Sequence, residues 1–426
     1  MSEEIKIEEV KKEKPAFSAD IRERVVSVLI WPLCFLYASM LFEAEGTWNT
    51  MFTVFSLLFI ALAEGLYRQK KRSWESIAIL IMTVIIAVSV WLPYRILGPV
   101  FESGYRAFFT HLFAVYWVMC RANTLSEGET SHMMLWDGIA GFFIMPFGNF
   151  LLNIRTLGTV FKVENKEEKK KVLPAILLSC IAAITLLAIA VSYLMHADVN
   201  YNHLMERIFN CISIDIDATL PVRLGFTVLI SMYLYGLLGG CYRDTVEQAA
   251  DRTGSIKKNL NSLRKVPGLT WLIFVALFSV FYVVFFAMQG QYLRYIIDAF
   301  ALKLPAGVTY SQFARRGFGD MCGVTVINFI LLWLMTRTSV NYEKPIKAAS
   351  LILNGESMLF AIIAFLKIMM YIIAYGFTPL RLQSIWAVAV LFYACICVMI
   401  NILTRKKTAK PWFLGSAATL AILCII

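Results

Sequence analysis

The stretch LILNGESMLFAIIAFLKIMMYIIAY, residues 351–375, is long and apolar enough to cross a lipid bilayer as a single helix. Runs of this kind recur along the chain, and short loops rich in Lys and Arg separate them. Hydrophobic residues make up 59% of the 426 residues, and charged residues only 16%. A soluble fold could not bury this much apolar surface, so the sequence predicts an all-α, polytopic transmembrane helix bundle.

The apolar runs predict about 11–12 membrane spans. The predicted spans are 25–42, 48–67, 76–93, 106–120, 172–195, 221–241, 268–298, 318–336, 349–375, 380–403 and 411–426. Residues 1–24 are predicted to form a cytoplasmic tail, and residues 25–426 a single multi-pass transmembrane domain. Because basic loops stay in the cytoplasm, we expect a plasma or inner membrane protein with a cytoplasmic N-terminus.

One apolar segment, residues 134–155, does not fit this orientation. A full crossing there would place the basic segment 162–171 outside the cell. Pro146 and several glycines interrupt the segment, and Asp137 and Asn149 lie within it. We therefore predict a re-entrant or broken element that is buried against other helices. An interfacial amphipathic helix and an ordinary span with an atypical loop remain open alternatives.

Charge and motif content exclude several classes of function. The formal net charge is +11, but the basic residues cluster at the ends of apolar runs, which favours membrane lipids over nucleic acid as the partner. No phosphate-binding loop, nucleophile elbow, zinc-protease motif or EF-hand is present. The sequence therefore predicts no catalytic residue, no metal site and no cofactor, and it does not identify a protein partner.

Polar residues are densest near the last four spans, between about 289 and 381. Lys367, Tyr371 and Tyr375 are spaced one helical turn apart and form a stripe on one helix face. A charged residue deep in a span predicts a functional site, although a lysine there can also extend to the interface. We predict one shared, outward-facing pocket. Its predicted ligand-binding residues are Tyr310, Arg315, Arg316, Asp320, Lys367, Tyr371, Tyr375 and Arg381.

Two motifs in this region carry a family resemblance. The stretches YSQFARRGF, 310–318, and FLKIMMYIIAYGFTPLRL, 365–382, resemble the C-terminal signature of a bacterial membrane family known as the domain of unknown function 4153/4173 group. The signature region covers about 289–385. This chain differs by having Lys367 where the family usually has arginine and Phe377 where it usually has leucine. The lysine keeps the charge but loses the planar guanidinium fork.

Three classes of function remain open. The first is transport or lipid handling, in which the basic and tyrosine residues bind an anionic solute or headgroup. The second is a sensor or accessory subunit whose spans pack against a partner. The third is a membrane enzyme that acts on a lipid-linked substrate and uses Asp298, Asp320 or Glu356 as a base. No paired catalytic motif supports the enzyme, so we rank it last.

Overall fold

The computed structural model describes residues 17–92, 100–160, 220–300, 318–340 and 344–426, with residues 289–300 described by their backbone alone. This part of the chain is helical and contains no named strand. Its helices are α1 (Ile21–Met40), α2 (Glu45–Leu66), α3 (Trp74–Trp91), α4 (Ser103–Arg121), α5 (Met134–Ile139), α6 (Met145–Gly148), α7 (Leu152–Val160), α8 (Leu220–Arg243), α9 (Val246–Ser262), α10 (Gly268–Phe300), α11 (Phe318–Thr338), α12 (Lys344–Tyr375), α13 (Pro379–Thr404) and α14 (Ala409–Ile425).

Within the described residues, 8 helices are long and apolar enough to cross a membrane. They are α1, α2, α3, α8, α10, α11, α12 and α13. The predicted all-α bundle of membrane-spanning helices is therefore confirmed. Two helices that cover predicted spans are not among these eight. Helix α4 covers the predicted span 106–120, but Arg106 and Arg121 are buried polar residues of this helix. Helix α14 covers the predicted span 411–426, but it has only 17 residues. The predicted span 172–195 lies outside the described residues.

The chain divides into two compact units, one formed by residues 1–39 and 146–240 and the other by residues 40–145 and 241–426. In the first unit, the hydroxyl of Tyr235 in α8 donates to the backbone oxygen of Glu23 in α1 at 3.1 Å. Gly236 and Gly240 of α8 lie close to α6 and to Asn149, the residue that follows it. A Cβ atom on Gly236 would lie 2.5 Å from the carbonyl oxygen of Pro146 in α6.

The second unit contains two groups of packed helices. Helix α3 packs against α2, α4 and α14, and α12 packs against α10, α11 and α13. Buried apolar side chains such as Met335 and Leu353 join α11 to α12, and Met321, Phe360 and Val388 extend this packing to α13. Helix α12 is thus surrounded by three neighbours, and this position determines which of its polar side chains are buried.

The segment 134–155 is interrupted, as predicted. Helix α5 continues into a π-helical turn, Ala140–Ile144, and then into α6. The segment Met134–Gly148 is bent by 50° relative to α7. At Gly141 in the π turn, an added Cβ atom would lie 2.9 Å from a side-chain carbon of Val115 in α4. The predicted break is confirmed, and the re-entrant path itself stays a prediction.

The stretch from Arg243 to Lys265, which connects the predicted spans 221–241 and 268–298, is mostly helical. It forms α9, which begins with a capping box. The hydroxyl of Thr245 accepts from the backbone N–H of Gln248, and the side chain of Gln248 accepts from the backbone N–H of Thr245. Two backbone donors at the start of the helix are satisfied in this way, and this stabilises α9. The helix contains no apolar run, so the pattern of apolar residues did not predict it.

Candidate functional site

The turn between α12 and α13 places Arg381 beside the last turns of α12. Gly376 has φ +79°, a left-handed conformation that glycine adopts without strain, and its N–H donates to the carbonyl oxygen of Ile372 at 2.7 Å. Pro379 then starts α13, where its fixed φ suits the first helical turn. Because the turn is so short, Arg381 returns toward the helix that precedes it.

Arg381 lies against the two tyrosines of the predicted stripe. Its guanidinium carbon is 4.0 Å from the ring centroid of Tyr371 and 5.8 Å from that of Tyr375. The two rings meet edge to face with centroids 5.2 Å apart. The guanidinium also donates to the carbonyl oxygen of Gly376. Stacking and this hydrogen bond hold the guanidinium in one orientation at the end of the bundle.

The other predicted ligand residues are placed differently. Lys367 lies one helical turn before Tyr371 and is only 5% exposed, so its side chain is buried within the bundle. Asp320 lies in the exposed first turn of α11. Tyr310, Arg315 and Arg316 lie outside the described residues. The structure therefore brings together Tyr371, Tyr375 and Arg381, while the shared pocket with Arg315 and Arg316 stays a prediction.

The Arg381 side chain is suited to binding an anion. Among the described residues, no carboxylate lies within 4.0 Å of its guanidinium, and the Gly376 carbonyl uses only part of its five N–H donors. Tyr375 is 51% exposed, so the cluster opens to its surroundings. A planar, pre-oriented guanidinium binds phosphate or carboxylate through two parallel hydrogen bonds, and neighbouring tyrosine hydroxyls can add further donors.

A second polar cluster, which sequence reasoning missed, lies at the other end of the second unit. It centres on Lys70, in the turn that follows α2. The ammonium of Lys70 donates to the carbonyl oxygens of Ala122 at 3.0 Å, Cys241 at 2.8 Å and Asp244 at 3.2 Å. These carbonyls belong to the C-terminal ends of α4 and α8, which carry partial negative charge. Burial lowers the pKa of Lys70, although Cys241 and Asp244 oppose the shift.

Arg121, the last residue of α4, continues this cluster. Its side chain is 1% exposed, and its Nε lies 3.1 Å from the carboxylate of Glu64 in α2. Its other nitrogens donate to the carbonyl oxygens of Lys70 at 3.0 Å and Tyr67 at 2.8 Å. Arg72 pairs with the same Glu64 at 2.6 Å but is 56% exposed. Lys70 and Arg121 thus join the ends of α2, α4 and α8 through backbone oxygens.

A separate group of ion pairs surrounds Glu127, in the loop after α4. The carboxylate of Glu127 lies 2.7 Å from Lys257 in α9 and 3.7 Å from Lys407. Burial alone would raise the pKa of Glu127, but Lys257, His132 and Lys407 outweigh burial and lower it. His132, 3.8 Å from Glu127, has a lowered pKa because burial and the nearby cations outweigh this carboxylate. These pairs fasten α9 to the bundle.

The sequence contained one signal for this second cluster. The acidic residues Glu64 and Glu75 lie on either side of the basic loop 68–72. Isolated carboxylates among many cations indicate local ion pairs. The backbone carbonyls that Lys70 and Arg121 bind carry no sequence signal, because every residue has one. The charged groups of this cluster are paired with one another or with backbone oxygens. This favours a role in holding the helix ends together over a role as a ligand site.

Comparison with known proteins gives one match. A family model described as a domain of unknown function, DUF4153, matches residues 82–426. The match extends well beyond the C-terminal region 289–385 that carries the signature motifs and includes α4 to α14. No curated protein and no solved structure matches this chain.

Proposed function

The chain belongs to the DUF4153 family, a domain of unknown function, and we propose that it handles an anionic solute or lipid headgroup at the Arg381 cluster. The cluster consists of Arg381, Tyr371 and Tyr375. The description of the chain as a multi-pass helical membrane protein rests on the 8 apolar helices among the described residues. The headgroup, the solute and the direction of any transport belong to the proposal.

One observation carries the proposal: the guanidinium of Arg381 is oriented before any ligand binds. Its carbon lies 4.0 Å from the Tyr371 ring centroid, and it has no carboxylate partner among the described residues. An arginine that only anchors a helix in the headgroup region does not need this orientation, because a mobile side chain reaches water equally well. Pre-orientation reduces the entropy lost on binding and favours two-point recognition of a phosphate or carboxylate.

Native mass spectrometry of the purified protein, titrated with phosphatidylglycerol, tests this proposal. A hydrogen bond to a charged group contributes about 1.5–3 kcal/mol, so Arg381→Gln should weaken binding about tenfold to a hundredfold. Arg381→Lys should give intermediate binding, since it keeps the charge but not the planar fork. Titrations with phosphatidylcholine and inorganic phosphate distinguish a lipid from a free anion.

Lys344→Gln is the matched control. It removes one exposed positive charge from the opposite end of α12 and should leave the affinity for phosphatidylglycerol near that of the parent. Equal losses in Arg381→Gln and Lys344→Gln would mean that only general charge attraction is present, and the proposal would be wrong. If no anion binds any of these proteins, the alternative of a sensor or accessory subunit is favoured.

A further inference from the structure

Glu356 is a carboxylate in the middle of a membrane-spanning helix, and the Arg381 cluster does not use it. Its residue is 8% exposed, and its Oε2 atom is buried with no hydrogen-bond partner among the described residues. Within the same part of the chain, no Lys, Arg or His lies at ion-pair distance from it. An ionised carboxylate in this position would be unpaired in a medium of low dielectric constant, which is strongly unfavourable.

The polar neighbours of Glu356 are arranged across three helices. The hydroxyl of Tyr282 in α10 donates to the Asn328 side-chain oxygen in α11 at 2.8 Å. The amide nitrogen of Asn328 donates in turn to the hydroxyl of Ser357 in α12 at 3.0 Å. The Tyr282 hydroxyl therefore donates to Asn328, and one amide N–H of Asn328 donates to Ser357. Neither compensates the charge of Glu356.

Ser279, one turn before Tyr282 in α10, lies beside the Glu356 carboxylate. The geometry nevertheless leaves its Oγ atom, like Oε2 of Glu356, without a well-formed hydrogen bond among the described residues. The Ser279 hydroxyl carries one hydrogen of its own, and a single neutral donor leaves the charge of an ionised, buried carboxylate largely uncompensated. A proton on the carboxyl group removes this negative charge and lets the Ser279 oxygen act as the acceptor.

We propose that Glu356 is a proton-binding site, in which the carboxylic acid is neutral at physiological pH and shares its proton with Ser279. The titratable group that faces it from α10 is Tyr282, and α11 contributes the neutral Asn328. On α12, the nearest described cations are the exposed Lys347, nine residues before Glu356 and about 14 Å along the axis, and Lys367, eleven residues after it and about 16 Å along the axis. A sodium ion fits less well, because it needs several oxygen ligands and Asn328 Oδ1 is already bound by Tyr282.

Infrared spectroscopy of the purified wild type and Glu356→Gln tests this proposal directly. An ordinary glutamate is protonated in roughly 0.2% of molecules at pH 7, so its acid carbonyl band is absent there. We expect the wild type to show this band at pH 7 with the intensity of one group, and Glu356→Gln to lack it. A carboxylate band from Glu356 at pH 7 would overturn the proposal. A carboxylate band that appears only with sodium would assign the site to sodium and overturn it equally.

A hydrophobic carbodiimide provides a second measurement, which does not require the variant to fold. This reagent adds to protonated carboxylic acids in apolar surroundings. We expect peptide mass spectrometry of the wild type at pH 7 to find the adduct on Glu356 and not on the exposed carboxylate of Asp320. Lack of the adduct together with lack of the infrared band contradicts the proposal. Neither result depends on Arg381, so the proposed function can fail while this one holds.

Discussion

Two arginines that pair with Glu64 differ mainly in burial. Arg121 is 1% exposed and also binds two backbone carbonyls, whereas Arg72 is 56% exposed. Removing one partner of a buried ion pair costs about 3–5 kcal/mol, because the remaining groups stay buried without compensation. Arg121→Met should therefore lower the midpoint of thermal unfolding in detergent clearly.

Arg72→Met is the control for this prediction, because it removes a cation from the same carboxylate. An exposed ion pair contributes about 0–1 kcal/mol, so its midpoint should stay close to that of the parent. If both variants unfolded at the same temperature as the parent, the interpretation that Lys70 and Arg121 hold the helix ends together would be wrong.

His132 should make stability depend on pH in a defined window. Its pKa is lowered in the folded protein, mainly by burial, with Glu127 opposing the shift and nearby cations adding to it. Below its ordinary pKa of about 6.5, the unfolded chain binds this proton more readily than the folded one, so stability falls as pH falls. His132→Gln should lose less stability than the parent between pH 7 and 5. The side chain is about half exposed, so the effect should not exceed about 1 kcal/mol.

Glu127 acts in a separate window and provides the contrast. Its pKa is lowered in the folded protein, so the stability it contributes is present above its ordinary pKa and is lost as pH falls through the lower folded value. His132→Gln should reduce this acid loss below about pH 4.3 only in part, because Lys257 and Lys407 still lower the pKa of Glu127. A pH profile identical to that of the parent between pH 7 and 5 would contradict the assignment to His132.

The candidate residues show what sequence could establish about the site. The spacing of Tyr371 and Tyr375 predicted that they share one helix face, and the structure places their rings 5.2 Å apart. The return of Arg381 onto Tyr371 depends on the length and conformation of the Gly376 turn. The contacts of Lys70 could not be predicted, because its partners are backbone carbonyls of α4 and α8, distant in sequence.

Among the elements, most helices were predictable and one was not. The apolar run from residue 349 to 375 identified α12, although the helix begins earlier, at Lys344. Pro146 and the glycines near it predicted the break, which the structure places between Gly148 and Leu152. Helix α9 was not predicted, because it is polar and lacks an apolar run. The capping box of Thr245 and Gln248 was the available signal.

The glycines of α8 provide a test of helix packing in the first unit. Alanine normally stabilises a helix by about 1 kcal/mol relative to glycine. At Gly236, however, the new Cβ atom would lie 2.5 Å from the backbone oxygen of Pro146, which cannot rotate away. Gly236→Ala should therefore destabilise the protein by about 1–3 kcal/mol, measured as a lower unfolding midpoint.

Gly225→Ala is the matched control in the same helix. No atom lies within 4 Å of the position that its Cβ would occupy, so only the helix propensity changes. This variant should be as stable as the parent or slightly more stable. A Gly236→Ala variant that unfolds together with Gly225→Ala would show that α8 does not pack against the Pro146 backbone.

For the second unit, the two ends of α12 determine which side of the membrane each polar cluster faces. The helix has 32 residues, about 48 Å, so its ends lie on opposite sides of a bilayer. A parallel bridge between Val266 and Ser339 joins the chain that follows α9 to the chain that leads into α12. The basic residues gather at this end, while the Arg381 cluster lies at the other. The positive-inside rule then predicts that α9 is cytoplasmic and that the Arg381 cluster faces outward.

Single cysteines at exposed positions test this orientation. Phe377→Cys lies in the turn beside Arg381, at a residue that is 57% exposed, and Lys258→Cys lies on the exposed face of α9. A membrane-impermeant maleimide should label Phe377→Cys in intact cells and Lys258→Cys only after permeabilisation, with the parent protein as the background. The reverse pattern would mean that the Arg381 cluster meets the cytoplasm. Its anion would then come from the inner leaflet or the cytosol, and an outward-facing site would be wrong.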